Sequence, residues 1–356
     1  MKRVTITILV ILGHIIAISA LYYGCHADSD SEIQDPEKRN SSSGSSNEND
    51  DSRGLDQDAD SRQSSTTKAE DSTPGLALKK VFTPSDFDKN LQNLPASIRD
   101  KTKHCKAGIM VNLKAKKIIW QKNASQASSI ASMTKMMTAL VLMEEIEENP
   151  GVSLSTQVGI TKEASAIGGR QVYLDPREKF SLDELLKCMM VFSANDAAYQ
   201  VAQFIGEGNV DDFMKRMNDL AAEMGLQKTT FNTPHGLPGD NGRHDKSTPL
   251  ELACIGATLM QYPEVTKWSS TRLDYIRENS SRFDRFQLLN TNKLITSVPG
   301  VNGLKTGYTD KAGYCITATY KKAGKSFVVV LMGCPSSSIR NNLAEQLFKW
   351  QTQPGS

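Results

Sequence analysis

Period-two alternation opens and closes the folded part of this chain, and helical periodicity fills the middle. AGIMVNL (107–113) and KIIWQK (117–122) read as two strands around a short lysine-containing turn. GLKTGYT (303–309), AGYCITATYKK (312–322) and SFVVVLMG (326–333) return to β-branched alternation, with Ala323-Gly324 as the turn between the last two. A closing helix is predicted over roughly 338–350. In SMTKMMTALVLMEEI (132–146), apolar residues surround the helix axis, the pattern of a helix buried on most sides, and Pro150 and Gly151 stop it. Start signals are legible farther on. Ser181 with Glu184 forms a capping box before LLKCMMVF, and Thr248, Pro249 and Glu251 supply cap, first-turn proline and capping glutamate. Strands at both ends with helices between them predict an α+β fold, a mostly antiparallel sheet covered by helices.

One residue resists this pattern. Lys135 sits at the front of the buried helix, where an ionised, unpaired lysine costs several kcal/mol or gives up its proton. Ser132 lies three residues earlier, on the same helical face. A serine hydroxyl needs a base within hydrogen-bond reach, and a desolvated lysine can be that base. The helix N-terminus favours the oxyanion formed when Ser132 attacks a carbonyl. The plain alternative is a serine cap beside an exposed lysine, and the same spacing recurs at Ser65 and Lys68 in a segment without core. Two further tripeptides keep this pair company. Ser193-Ala194-Asn195 follows an apolar helix, although Ser45-Ser46-Asn47 shows that the tripeptide is cheap; Lys305-Thr306-Gly307 occurs once and lies on a strand, where the glycine permits close backbone approach.

The N-terminal quarter is of another kind. Residues 1–24 carry Lys2 and Arg3 before roughly twenty mainly apolar residues, so they read as a signal peptide or N-terminal membrane anchor, and export follows. Residues 25–84 read as an acidic tether; His26–Gly75 holds thirteen acids against five bases and almost no large apolar side chain. The remainder is then mildly basic, at roughly +8, which suits an anionic polymer such as a cell wall as well as ordinary surface charge. The folded domain is expected over 85–352. There is no paired-cysteine zinc spacing, phosphate-cradling glycine loop or aromatic-interleaved basic patch, so neither a metal, a nucleotide cofactor nor a nucleic-acid partner is indicated.

SMTK, SAN and KTG, in that order and separated by roughly sixty and one hundred and ten residues, resemble the three signatures of the penicillin-recognising serine enzymes. ASMTKMMTA, GGRQVYL (168–174), FSANDAAYQVA, NTPHGLP (232–238) and GLKTGYTDKAGYC narrow the likeness to the D-alanyl-D-alanine carboxypeptidases, the low-molecular-weight penicillin-binding proteins, over about 85–350. The resemblance implies a five-stranded antiparallel sheet covered by helices plus an all-helical subdomain. It implies that Ser132 is the acylated nucleophile and Lys135 its base, while Ser193 and Asn195 relay protons and hold the substrate amide. Lys305, Thr306, Gly307 and Tyr308 would bind substrate, with the Ser132 and Tyr308 N–H groups as oxyanion hole. The implied partners are a peptidoglycan pentapeptide and, as covalent inhibitors, β-lactam antibiotics. Lys305 is expected to lower the proton affinity of Lys135 by repulsion. Relatives often continue into a β-domain and an amphipathic membrane helix; here the N-terminal segment and tether are expected to anchor the domain outside the cytoplasmic membrane.

Other residues have plainer readings. His235 and His244 flank a loop and lack a third ligand, which favours loop packing over metal binding. Arg170 and Arg340 are candidates for a carboxylate, against the commoner reading as structural salt bridges. Cys188 and Cys254 fit inert core positions. In the resembled sheet the strands after Cys105 and before Cys334 are neighbours, so a disulfide is available to these two thiols, with two free thiols as the alternative. Three rival functions remain: a D,D-endopeptidase of the same family, a serine β-lactamase, and a wall-binding module with dead chemistry. None of Glu207, Glu223, Glu251, Glu264 or Glu278 has asparagine four residues later, which disfavours the best-known β-lactamase water-activating pair.

Overall fold

The computed structural model describes residues 79–239 and 242–353. The leader or anchor (1–24) and the tether up to residue 78 lie outside the described residues. Within the described residues, chain before 85 is packed: the Phe82 N–H donates to Thr258 Oγ1 and Phe82 stacks on Phe87.

The sheet is built from β1 (Asp88–Lys89), β2 (Ala107–Asn112), β3 (Lys117–Lys122), β4 (Val301–Thr309), β5 (Gly313–Lys322) and β6 (Lys325–Cys334). Its spatial order is β1-β3-β2-β6-β5-β4, and the five longer strands are antiparallel as expected. The sixth, β1, is a two-residue parallel addition beside β3. Alternation in FVVVLM sorts the central strand: Val328, Val330 and Met332 face one core, Phe327, Val329 and Leu331 the other. The first core is covered by α2 (Lys135–Glu148) and α6 (Pro249–Leu259), and the second by α1 (Ala96–Thr102) and α7 (Ser337–Thr352). Each fully buried Leu, Val or Met contributes about 1.5–3 kcal/mol, enough for these faces to fix the strand register. β4 carries the KTG tripeptide and is an edge of the sheet.

Beyond the sheet, α3 (Leu182–Lys187), α4 (Asn195–Ile205) and α5 (Val210–Glu223) form the helical layer, with α4 and α5 packed on α2. All residues from Lys135 to Met143 are buried, as the all-round apolar pattern of α2 requires. The Ser181–Glu184 capping box is present. Thr248 caps α6 with Pro249 in the first turn, but Glu251 does not reach back to Thr248. Its carboxylate instead accepts from Thr229 Oγ1 and the Lys228 N–H, two donors supplied by the loop before it.

Cys105 and Cys334 are disulfide-bonded, closing β6 against the segment that leads into β2 across 229 residues of chain. Cys188 and Cys254 are buried free thiols. Reducing this bond should lower stability by roughly 3–5 kcal/mol, because the unfolded chain regains the entropy of a very long loop. Denaturant midpoints with and without reductant, and for the Cys105→Ser/Cys334→Ser double variant, check this; unchanged midpoints would contradict it.

Candidate active site

The nucleophile turn is shaped by its backbone. Ala131–Thr134 forms a 3-10 turn leading directly into α2, and Ala131, before Ser132, is held at φ 49. An L-residue in the left-handed region costs of order 1–3 kcal/mol, so the surrounding packing must hold it there. Two glycines allow that packing. Gly236 (φ +93) lies so close that a Cβ would sit 2.1 Å from the Ala131 carbonyl oxygen. At Gly307 on β4 a Cβ would lie 2.7 Å from the Ile130 oxygen and 3.2 Å from Ser132 N, so the 307–308 peptide runs beside the nucleophile's N–H. Gly307→Ala should push β4 away and reduce the acylation rate on the order of 10²-fold, the usual cost of an ångström-scale misplacement. Stopped-flow acylation kinetics on the folded variant would check this, and wild-type rates would contradict the packing argument.

Lys135 Nζ lies 3.2 Å from Ser132 Oγ, 2.7 Å from Asn195 Oδ1 and 2.6 Å from the His235 carbonyl oxygen. The last two are pure acceptors. A neutral amine has two N–H donors and one lone pair; Asn195 and His235 take both donors, which leaves the lone pair for the Ser132 proton. Asn195 cannot turn its amide over without loss, because its Nδ2 donates to the Gly168 carbonyl at 2.9 Å. Burial lowers the Lys135 pKa to about 7; Asp245 and Asp196 oppose the shift and Arg170 adds to it. Desolvation dominates, as the buried position of Lys135 led us to expect, but the added repulsion expected from Lys305 is not among the causes; repulsion acts chiefly the other way, with Lys135, Arg170 and Arg340 adding to burial in lowering Lys305.

Lys305 is fully buried and donates to Ser193 Oγ at 2.9 Å and to the Thr306 carbonyl at 2.9 Å. Ser193 is set by its own backbone: five residues of π-helix (Cys188–Phe192) end in Ser193 at φ 71, which aims the hydroxyl at Lys305. The Thr306 hydroxyl donates to Thr291 Oγ1 at 2.7 Å, and Tyr308 is half exposed with its hydroxyl on Asp310. Ser132, Ser193, Asn195, Thr306, Gly307 and Tyr308 line one cleft of about 610 Å³, while Lys135 and Lys305 lie beneath it as supports.

Several participants were missed or underrated from sequence. The base's second acceptor is a main-chain carbonyl, that of His235, and no side-chain pattern marks it. The His235 ring is packed, as expected: its Nδ1 accepts from the Leu237 N–H, and burial pushes its pKa down to about 3. Asp245 is buried and ties both walls together, accepting from Thr134 Oγ1 at 2.6 Å and from the Asn232 N–H at 2.6 Å. Arg170 and Arg340 form no ion pair among the described residues, contrary to the salt-bridge reading. Arg170 lies over the Phe192 ring, and Arg340 is buried at the cleft, bonded only to the neutral oxygens of Cys315 and Asn341. Burial lowers the Arg340 pKa to about 10, so it keeps its charge at neutral pH.

A serine with a desolvated amine at its hydroxyl, beside an edge strand flanked by an unpaired buried guanidinium, defines a serine acyl-transfer site on an α+β scaffold. The sequence model of peptidase family S11, described as D-alanyl-D-alanine carboxypeptidase, matches residues 95–336, and the chain belongs to that family. The chain is 35% identical over 261 residues to the D-alanyl-D-alanine carboxypeptidase DacF of Bacillus subtilis, covering 73% of this chain and 64% of that protein. It is 30% identical over 288 residues to DacC of Escherichia coli, covering 78% and 67%. It thus spans about two thirds of the length of these relatives. Penicillin-binding protein D2 from Listeria monocytogenes, solved in an ampicillin-bound form, superposes with a TM-score of 0.61 at 27% identity, covering 69% of this chain and 96% of that one.

Proposed function

We propose that this protein is a serine-type D-Ala-D-Ala carboxypeptidase that trims peptidoglycan stem peptides through a Ser132 acyl-enzyme and is acylated by β-lactams. The observation that carries the reading is the donor count at Lys135, which directs a neutral amine's lone pair at Ser132. Lys135 takes the Ser132 proton as Oγ bonds to the carbonyl carbon between the two D-alanines. The oxyanion faces the Ser132 and Tyr308 N–H groups. As the tetrahedral intermediate collapses, the C–N bond breaks and the proton reaches the leaving amine, through Ser193 or directly. Water then attacks the ester and gives a proton to Lys135; collapse breaks the Ser132 Oγ–C bond, Lys135 returns that proton to Oγ, and the shortened peptide leaves. Asn195 holds the substrate amide while it fixes Lys135.

The terminal carboxylate is read by Thr306, with Lys305 behind it, and by Arg340, which the sequence also offered as a carboxylate candidate. A buried guanidinium bonded only to neutral oxygens keeps a charge that a carboxylate can pair. Arg340→Gln should lower kcat/KM for a peptide ending in D-Ala-D-Ala about 10–100-fold, and much less for the same peptide with a C-terminal amide. Equal losses on both substrates would contradict this role. The N-terminal segment would tether the domain outside the cytoplasmic membrane, within reach of the wall.

The activity is tested by incubating the full chain with a pentapeptide ending in D-Ala-D-Ala and with a cross-linked dimeric muropeptide. Release of free D-alanine from the first supports the proposal; cleavage of only the second would replace it with endopeptidase action. A penicillin adduct that vanishes as hydrolysed drug accumulates would favour the β-lactamase.

A further inference from the structure

Given the proposed function, two fixed points set the direction of a peptide lying along β4. Its terminal carboxylate sits by Thr306 and Arg340, and its scissile carbonyl faces the N–H groups of Ser132 and Tyr308. The acyl part of the substrate therefore runs onward past Tyr308, toward Thr309, Asp310 and Lys311. There the surface changes character. A groove of about 370 Å³ is lined by Asn232, Arg243, His244, Lys246 and Lys311.

The groove adjoins the nucleophile through the backbone. Lys246 pairs with Ser129, and the Ile130 N–H donates to the Asp245 carbonyl, two residues before Ser132. Lys246 and Lys311 are exposed and form no ion pair among the described residues. Among the described residues, the carboxylates next in sequence to the groove lining turn away from it or bond elsewhere. Asp245, between His244 and Lys246, turns inward and is buried on Thr134, Thr233 and the Asn232 N–H. Asp310, beside Lys311, accepts the Tyr308 hydroxyl at 2.8 Å. Among the described residues, the lining of the groove carries Lys246 and Lys311 and no carboxylate, at the place where the acyl part of the substrate leaves the catalytic cleft.

We propose that this groove is an acyl-donor subsite, which takes a carboxylate carried by the substrate peptide a few residues upstream of the scissile bond. It is a specificity element of the reaction proposed above and rests on that reading. Exposed ion pairs are individually weak, so the subsite ranks donors and does not decide whether the reaction occurs. Attraction of this kind weakens as salt shortens the screening length.

The test uses two acyl donors of equal length ending in D-Ala-D-Ala, one with an upstream side-chain carboxylate and the other with the corresponding amide. D-alanine release gives kcat/KM for each. At low salt the full chain should prefer the carboxylated donor about three- to tenfold. The preference should fall toward one as salt is raised, and in Lys246→Gln/Lys311→Gln at low salt. A wild-type ratio of one, or a ratio that survives both the double variant and high salt, would overturn the subsite while leaving the carboxypeptidase reading intact. Failure of the wild type to release D-alanine from either donor would overturn the proposed function, and this inference with it.

Discussion

Ser132→Ala is expected to lose D-alanine release and penicillin labelling by roughly 10⁴-fold or more while keeping the wild-type fold. The side chain is only partly buried and its hydroxyl bonds to Lys135 alone among the described residues, so its removal leaves a small gap at a cleft wall. The chemistry has no substitute. Ser193 Oγ is taken by Lys305, and Thr134 Oγ1 faces Asp245 and the Ala131 carbonyl, so neither hydroxyl is aimed at the bond to be cut. Circular dichroism and thermal melting should coincide with wild type. Turnover retained by the folded variant would show that another nucleophile does the work.

Lys135→Met should be nearly as damaging and should also change how the protein responds to pH. Loss of a positioned general base costs about 10²–10⁴-fold. In the wild type the acylation rate should climb as pH rises through about 7, where Lys135 becomes neutral, and that limb should be missing from the variant's residual rate. Stability provides a second readout with a definite sign. Lys135 holds its proton to about 10.5 when unfolded but only to about 7 when folded, so between these values the unfolded chain binds the extra proton. Stability therefore rises with pH across that window, by up to about 1.4 kcal/mol per pH unit from this group, and the rise is complete above the unfolded value. The methionine variant should show a shallower slope between pH 7 and 10. An unchanged slope and an unchanged rate limb would contradict a neutral Lys135.

What the sequence made legible was local or periodic. Ser132 and Lys135 could be paired because helical spacing puts them on one face, and the burial of α2 followed from apolar residues all around it. The strands of the sheet followed from alternation, apart from β1, whose Asp88 and Lys89 have no alternation to read and pair with β3 through backbone and one Asp88–Lys117 ion pair. Less legible were features that depend on what a side chain finds after folding. Glu251 has the spacing of a capping glutamate, yet folding offers it Thr229 and Lys228. Arg340 was open to two readings, carboxylate binding or the commoner salt bridge, and only its lack of an ion pair among the described residues decides for the first. Asp245 lies between two residues of a polar loop, and nothing in that loop indicates that its carboxylate braces the nucleophile turn. The main source of the Lys135 shift, burial, was legible from the apolar residues around it, whereas the added repulsion expected from Lys305 was not found, because side-chain distances across the fold are invisible in sequence.

The central claim is that Ser132 is activated by a neutral Lys135 to form an acyl-enzyme. It is tested most directly by adding a labelled penicillin to the full chain, following intact mass over time beside Ser132→Ala, and mapping the label by peptide digestion. A long-lived adduct of one drug mass, mapped to Ser132, absent from the variant and formed faster as pH rises through about 7, is the predicted result. A label on another residue, or no adduct on a folded wild type, would contradict it.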